Sequence, residues 1–137
     1  MFEHYNINNL DKLEYTVGRI NQDIIHLLGL QICECDIKLT AKRIRHTKKH
    51  ECEFDSFSEY KTCIESAPKI IESPEYVGLH PDRNSVRYVS SIGSVRIIIL
   101  VAVGLDGVDE QWIKTIYPIT EDKLNMYIAS GQLVKYR

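Results

Sequence analysis

From Asp11 to about Leu30 the apolar residues Leu13, Val17, Ile20, Ile24, Leu27 and Leu28 recur at spacings of three and four. That spacing describes one face of a helix, which Gly18 or Gly29 could interrupt. Ile32 to Leu39 alternates instead, with Ile37 and Leu39 on one side, and reads as a short extended segment or connector. Thr40 stands where an N-cap belongs, ahead of a helix running from Ala41 to His50 on which His46 and His50, four residues apart, share a face. Asp55-Ser56 supplies a second cap. Phe57, Tyr60, Ile64, Ala67, Ile70 and Ile71 then trace another amphipathic helix, stopped by Ser73-Pro74, and Pro68 inside it predicts a kink or a split.

After Pro74 the period changes to two. Tyr76 to Leu79 is a short strand, His80-Pro81-Asp82-Arg83-Asn84 is turn chemistry, and Val86 to Ile92 reads as a second strand. Gly93-Ser94 turns into the β-branched run Val95 to Gly104, suited to a central strand. Leu105 to Asp109 makes the next connection, and Gln111 to Ile119 is the fourth strand. Thr120 opens a closing helix with Glu121 and Asp122 in its first turn, ending near Ser130-Gly131. The expected fold is therefore α+β: N-terminal helices, then an antiparallel meander of about four strands, then a C-terminal helix. Such a sheet packs one apolar face on helices and leaves the other free for a ligand.

Composition adds bounds. The 137 residues, 44% hydrophobic and 26% charged with a net charge of -2, suit a single domain with one core and exclude a chain too polar to fold. The longest apolar run, Val95 to Leu105, is broken by Arg96 and Gly104 and has about half the length of a membrane-spanning helix. Met1 leads into polar residues with no apolar signal core, so a cytoplasmic protein without a membrane partner is expected. Cys33 and Cys35 form C-x-C, while Cys52 and Cys63 stand apart; reduced thiols are expected rather than a disulfide framework or a metal site.

The small net charge hides an asymmetry. Residues 38 to 50 carry Lys38, Lys42, Arg43, Arg45, Lys48 and Lys49 with no acid, whereas residues 1 to 37 hold six acids against two bases and residues 51 to 75 hold seven against two. A basic block in an acidic setting is either a phosphate-contacting surface or a solvated helix face paired with neighbouring acids. His46 and His50 within it suit proton transfer at neutral pH. A metal-independent ribonuclease needs such groups to take a proton from a ribose 2′-hydroxyl and to protonate the departing oxygen, with cations and hydroxyls holding the phosphate. Lys114, Thr115 and Tyr117 of the fourth strand could serve that purpose. A zinc peptidase pattern is disfavoured, because Thr47 follows His46 where a catalytic glutamate would stand. No Gly-rich phosphate loop, nucleophile elbow or C-x-x-C occurs. His80, beside Pro81 in a turn, reads as structural or exposed, and His26 belongs to the first helix.

Four segments, in this order, carry a resemblance. They are Ile44-Arg45-His46-Thr47-Lys48-Lys49-His50, Ile70-Ile71-Glu72-Ser73-Pro74-Glu75-Tyr76-Val77-Gly78, the apolar strand Val95 to Val103, and Lys114-Thr115-Ile116-Tyr117-Pro118-Ile119. Together they resemble the phage-associated nucleases of the barnase, EndoU, colicin and RelE-like superfamily (BECR). The likeness implies a nuclease core at residues 37 to 131, with residues 1 to 36 as a helical extension. It further implies an RNA-cleaving domain, used as a toxin or a processing nuclease, that acts without a metal or other cofactor through a 2′,3′-cyclic phosphate. His46 and His50 match its helical histidines, and Thr115 and Tyr117 its Thr-x-Tyr strand. Lys48, Lys49, Arg45, Arg96 and Lys114 are the matching phosphate-binding cations. RNA is the implied partner, with an immunity or antitoxin protein as a second one. The pI near 6.2 departs from the strongly basic toxins of this superfamily and points to a selective substrate or to a binding module that keeps the fold without activity.

Overall fold

The computed structural model describes residues 2–94 and 96–136. In chain order the elements are β1 (Glu14–Ile20), α1 (Gln22–Leu28), β2 (Cys35–Thr40), α2 (Ala41–His46), a 3-10 helix (Thr47–Glu53), α3 (Phe57–Glu65), α4 (Ala67–Glu72), β3 (Tyr76–Leu79), β4 (Ser85–Ile92), β5 (Ile97–Gly104), β6 (Gln111–Ile119), α5 (Glu121–Ala129) and β7 (Val134–Lys135). The strands form one seven-stranded sheet in the order β1-β2-β6-β5-β4-β3-β7. Every neighbouring pair is antiparallel except β2 and β6, which run parallel. The expectation of N-terminal helices followed by a four-stranded antiparallel meander is overturned. Strands β3 to β6 are adjacent, but β1 and β2 extend the sheet beyond β6, β7 extends it beyond β3, and most helices lie mid-chain.

The error at the N-terminus has a physical origin. Val17 is the extra residue of a β-bulge in β1, because Thr16 pairs with Lys38 and Gly18 with Ile37. A bulge adds one residue to a strand, so the buried positions Val17 and Ile20 stand three apart, which is a helical spacing. Pairing with β2 decides the conformation, and only Gln22–Leu28 of the expected helix is helical. Farther along, the capping signals hold: Thr40 accepts the Arg43 N–H at 3.0 Å, Ser56 that of Glu59 at 3.1 Å, and Thr120 that of Lys123 at 3.1 Å. The helix containing Pro68 is split at Ser66, with the proline placed in the first turn of α4, where its missing N–H costs nothing. The strand expected from Val95 begins at Ile97; Val95 itself lies outside the described residues.

The sheet has two unlike faces. On one, Val17, Ile37, Leu39, Val86, Tyr88, Ile99, Val101, Val103, Ile113 and Ile116 pack with Ile24, Ile64 and Ile70 of the helices. Each such aliphatic side chain, moved out of water, contributes about 1.5–3 kcal/mol, and this face carries most of the stability. On the other, Val89, Ile98, Leu100, Ala102, Ile119 and Leu133 form a smaller cluster, covered by Leu124, Tyr127 and Ile128 of α5. That cover is partial. Beside α5 the second face opens into a cavity.

Candidate active site

The floor of the cavity is a row across the sheet. Cross-strand register places Arg87 of β4, Ala102 of β5 and Thr115 of β6 side by side, with Gly104 flanking Ala102 two residues along β5. Strands lie about 4.8 Å apart, so the small Ala102 leaves a trough about 10 Å wide between Arg87 and Thr115. The trough belongs to a cavity of about 670 Å³ lined also by Arg43, Lys49, His80, Arg83, Asn84, Ser85, Leu100, Asp106, Lys114 and Tyr117. Five of its lining side chains are Lys or Arg, and the only carboxylate among them is Asp106, 3.4 Å from Lys114 Nζ. The excess of positive charge suits a polyanion.

A second bulge arms one wall. Ala102 pairs with Thr115 but Val103 with Ile113, which leaves Lys114 as an extra residue in β6. A regular strand would send Lys114 and Thr115 to opposite faces; the bulge brings both to the cavity, and Tyr117 follows two residues on. Gly104 completes the arrangement, since a Cβ there would stand 2.3 Å from Lys114 Cε, over the space the lysine stem crosses. Burial and neighbouring Tyr127 push the Tyr117 phenol above its ordinary pKa, so it is a hydrogen-bond donor at neutral pH.

Arg87 is the buried cation of the site. It is 2% exposed, and among the described residues no carboxylate pairs with it. Nη2 donates to Gln132 Oε1 at 3.1 Å and to the Leu79 carbonyl at 3.5 Å, the guanidinium lies 4.6 Å from the centre of the Tyr127 ring, and Nε has no acceptor among the described residues. Burial draws its pKa below the ordinary arginine value, yet a guanidinium stays charged. A buried, charged N–H without an acceptor is costly.

The basic segment forms the opposite rim. Thr40 caps α2, and Thr47 ends it: its buried hydroxyl bonds the Ile44 carbonyl at 2.6 Å and the Tyr60 hydroxyl at 2.8 Å, tying the chain to α3. From Thr47 the backbone continues as a 3-10 helix, not as the α-helix expected to His50. Four residues turn about 40° around an α-helix but about 120° around a 3-10 helix, so His46 and His50 diverge. Lys49 lines the cavity, and the His50 ring stacks on Tyr117 with centroids 5.8 Å apart. His50 Nδ1 hydrogen-bonds Glu53 Oε2. A carboxylate can only accept, so Nδ1 carries a proton, and this is the tautomer whose neutral form offers an Nε2 lone pair to a substrate proton, as a general base requires. His46 stands exposed at a separate depression with Thr40, Lys42 and Arg43. The Lys49 charge, then slight desolvation and the charges of Arg43, His50 and Lys42, hold it below the ordinary histidine value.

Of the residues expected from sequence, Lys49, Lys114, Thr115 and Tyr117 meet in one cavity with His50 stacked at its edge. Arg45 and Lys48 are exposed and lie outside its lining. Arg96, at a positive φ of 54°, borders a different depression with Glu53, Asp55, Glu59 and Glu121. Arg87 and Arg83 have no role in the sequence expectation, Arg43 enters it only as part of the basic block, and His80 only as a structural or exposed residue. For Arg87 a signal existed, an arginine inside the apolar run Val86 to Val89. His80 Nδ1 accepts the Asp82 N–H at 3.0 Å, and burial, with Arg87 and Arg83 nearby, lowers its pKa. It is therefore neutral at pH 7, with Nε2–H available as a donor.

Comparison with known families matches residues 15–126 to phage-Barnase-EndoU-ColicinE5/D-RelE like nuclease3. The chain belongs to this BECR nuclease family. The match begins inside β1 and takes in nearly all of that edge strand. It spans every lining residue of the cavity together with His46 and His50, and stops before Tyr127 and Gln132. Comparisons with curated proteins and with solved structures find no match. Among the described residues, no helix of this BECR chain is long and apolar enough to cross a membrane.

Proposed function

We propose that this BECR-family chain is an endoribonuclease that works without a metal ion. In this reading the 2′-hydroxyl of RNA attacks the adjoining phosphate and the 5′-oxygen leaves, giving a 2′,3′-cyclic phosphate and a 5′-hydroxyl. The observation that carries it is His50, oriented by Glu53 and stacked on Tyr117 at the edge of a cationic cavity. His50 Nε2 takes the 2′-proton. Thr115 and Tyr117 donate hydroxyls to the phosphate oxygens, and Lys49, Lys114 and Arg87 offset the charge that gathers there. A nucleophile carried on the substrate needs only a base and an electrostatic cradle, which favours RNA over DNA.

The second proton carrier is His80, in the cavity wall, or His46, at the neighbouring depression. Alanine variants of each separate the two. The test of the whole reading is incubation of the protein with total bacterial RNA in EDTA, with His46→Ala/His50→Ala in parallel and the product ends mapped. Discrete fragments with cyclic phosphate ends, absent from the double variant, are expected. RNA left intact at high protein concentration would instead make the chain a binding module of the same fold.

A further inference from the structure

The turn after α5 is built around Arg87. The Gln132 and Leu133 N–H groups both donate to the Tyr127 carbonyl, at 2.9 and 3.2 Å, so ring, turn and Gln132 side chain form one unit. This unit is seated on β3: a Cβ on Gly78 would stand 1.8 Å from the Gln132 carbonyl oxygen, and Gly78 is the cross-strand partner of Arg87. Leu133 is buried, β7 pairs with β3 through Val77↔Val134 and Tyr76↔Lys135, and the Tyr136 N–H donates to the Glu75 carbonyl at 2.8 Å. The C-terminal segment thus clasps the sheet edge and presents Arg87 with a π-face and one neutral acceptor. Gln132 leaves the positive charge uncompensated, where a carboxylate at the same place would have neutralised it.

We propose that Tyr127 and Gln132 are positioning residues that hold Arg87 as an unpaired cation for a phosphate group, so that closure of the C-terminal clasp and anion binding in the cavity are thermodynamically linked. The inference rests on the reading of the cavity as a phosphate site. The Tyr127 ring fixes the guanidinium plane by a cation–π contact. Gln132 occupies Nη2, Nε is buried without an acceptor, and among the described residues no hydrogen bond engages Nη1, which is left for the ligand. An anion that binds only the correctly set Arg87 must in turn favour the closed clasp, because linkage is reciprocal.

The experiment is titration of the full chain with inorganic phosphate, followed by NMR, for wild type, Gln132→Glu, Tyr127→Phe and Tyr127→Leu, with a thermal melt of each. Gln132→Glu keeps a hydrogen-bond acceptor but adds a charge that pairs with Arg87. It should melt at or above the wild-type temperature while binding phosphate about ten- to a hundredfold more weakly, the scale of a charged hydrogen bond. Tyr127→Phe should bind as wild type does, and Tyr127→Leu several-fold more weakly. Saturating phosphate should also slow hydrogen exchange at the Leu133 and Tyr136 amides. A wild-type chain that does not bind phosphate would overturn the cavity reading itself. Phosphate binding unchanged in Gln132→Glu, or amide exchange indifferent to phosphate, would overturn the clasp alone.

Discussion

The two faces of the central sheet come from the same strands but follow different rules. In β4, Val86 and Tyr88 point into a core of aliphatic side chains, while Arg87, buried as deeply, points to the other face and into a cavity of cations. The first face is closed by helices whose apolar residues match it; the second is closed only in part, by α5 and the turn beyond it. Both bulges matter to this division. The one at Val17 keeps β1 sealed into the core, and the one at Lys114 delivers adjacent polar side chains to the cavity. Stability is concentrated on one surface of the sheet and a site that costs stability on the other, separated by one backbone thickness.

The sharpest way to break the comparison is His50→Ala. Cleavage of RNA should fall about 10²- to 10⁴-fold, the range for loss of a general base, with an unchanged melting temperature, as a rate assay and a melt would show. On the sealed face the outcome inverts: Ile99→Ala should destabilise the fold by about 2–5 kcal/mol in urea unfolding and leave the cavity chemistry of the folded fraction intact. Arg87→Met sharpens the contrast further. It removes a buried charge that no carboxylate among the described residues compensates, so the chain should gain about 1–3 kcal/mol in stability while phosphate affinity disappears.

The smallest effect concerns Glu75, which ties the start of β3 to β4 by accepting the Ser91 N–H at 2.6 Å and the Ser91 and Ser90 hydroxyls. The Ser91 N–H, helped by the two hydroxyls, holds its carboxyl below the ordinary value of 4.5. A carboxylate with a depressed folded pKa stabilises fully above its unfolded value and loses that contribution as pH falls through the folded one. Wild type should therefore exceed Glu75→Gln by about 1 kcal/mol at pH 7, with the gap closing below pH 4.5 in melts taken across the acid range.

Much of the chain after Thr40 was legible, for local reasons. Caps at Thr40, Ser56 and Thr120, the proline at position 68 and the two-residue alternation of β4 act through the nearest neighbours in sequence. Alternation marks Gln111–Ile119 as a strand, and the spacing of three between Ile113 and Ile116 is the only trace its bulge leaves in the pattern. At the N-terminus the same kind of trace, Val17 to Ile20, mimics a helix. A bulge and a helical turn leave similar marks on a hydrophobic pattern, and only the partner strand tells them apart.

The candidate site divides in the same way. Thr115 and Tyr117 could be paired from sequence because they are two apart on one strand, and Lys49, His50 and Lys114 because the cations and histidines cluster in short segments. The parting of His46 from His50 depended on the change from α to 3-10 winding at Thr47, which is set by the Tyr60 hydroxyl from another helix. Local pattern determined by itself the nature of most elements and the chemical character of the basic segment, because these depend on residues within a turn or two of one another. Only the tertiary structure decided the seven-stranded order, the cavity and the part of Arg87, because each depends on register between strands and on what a distant segment leaves uncovered.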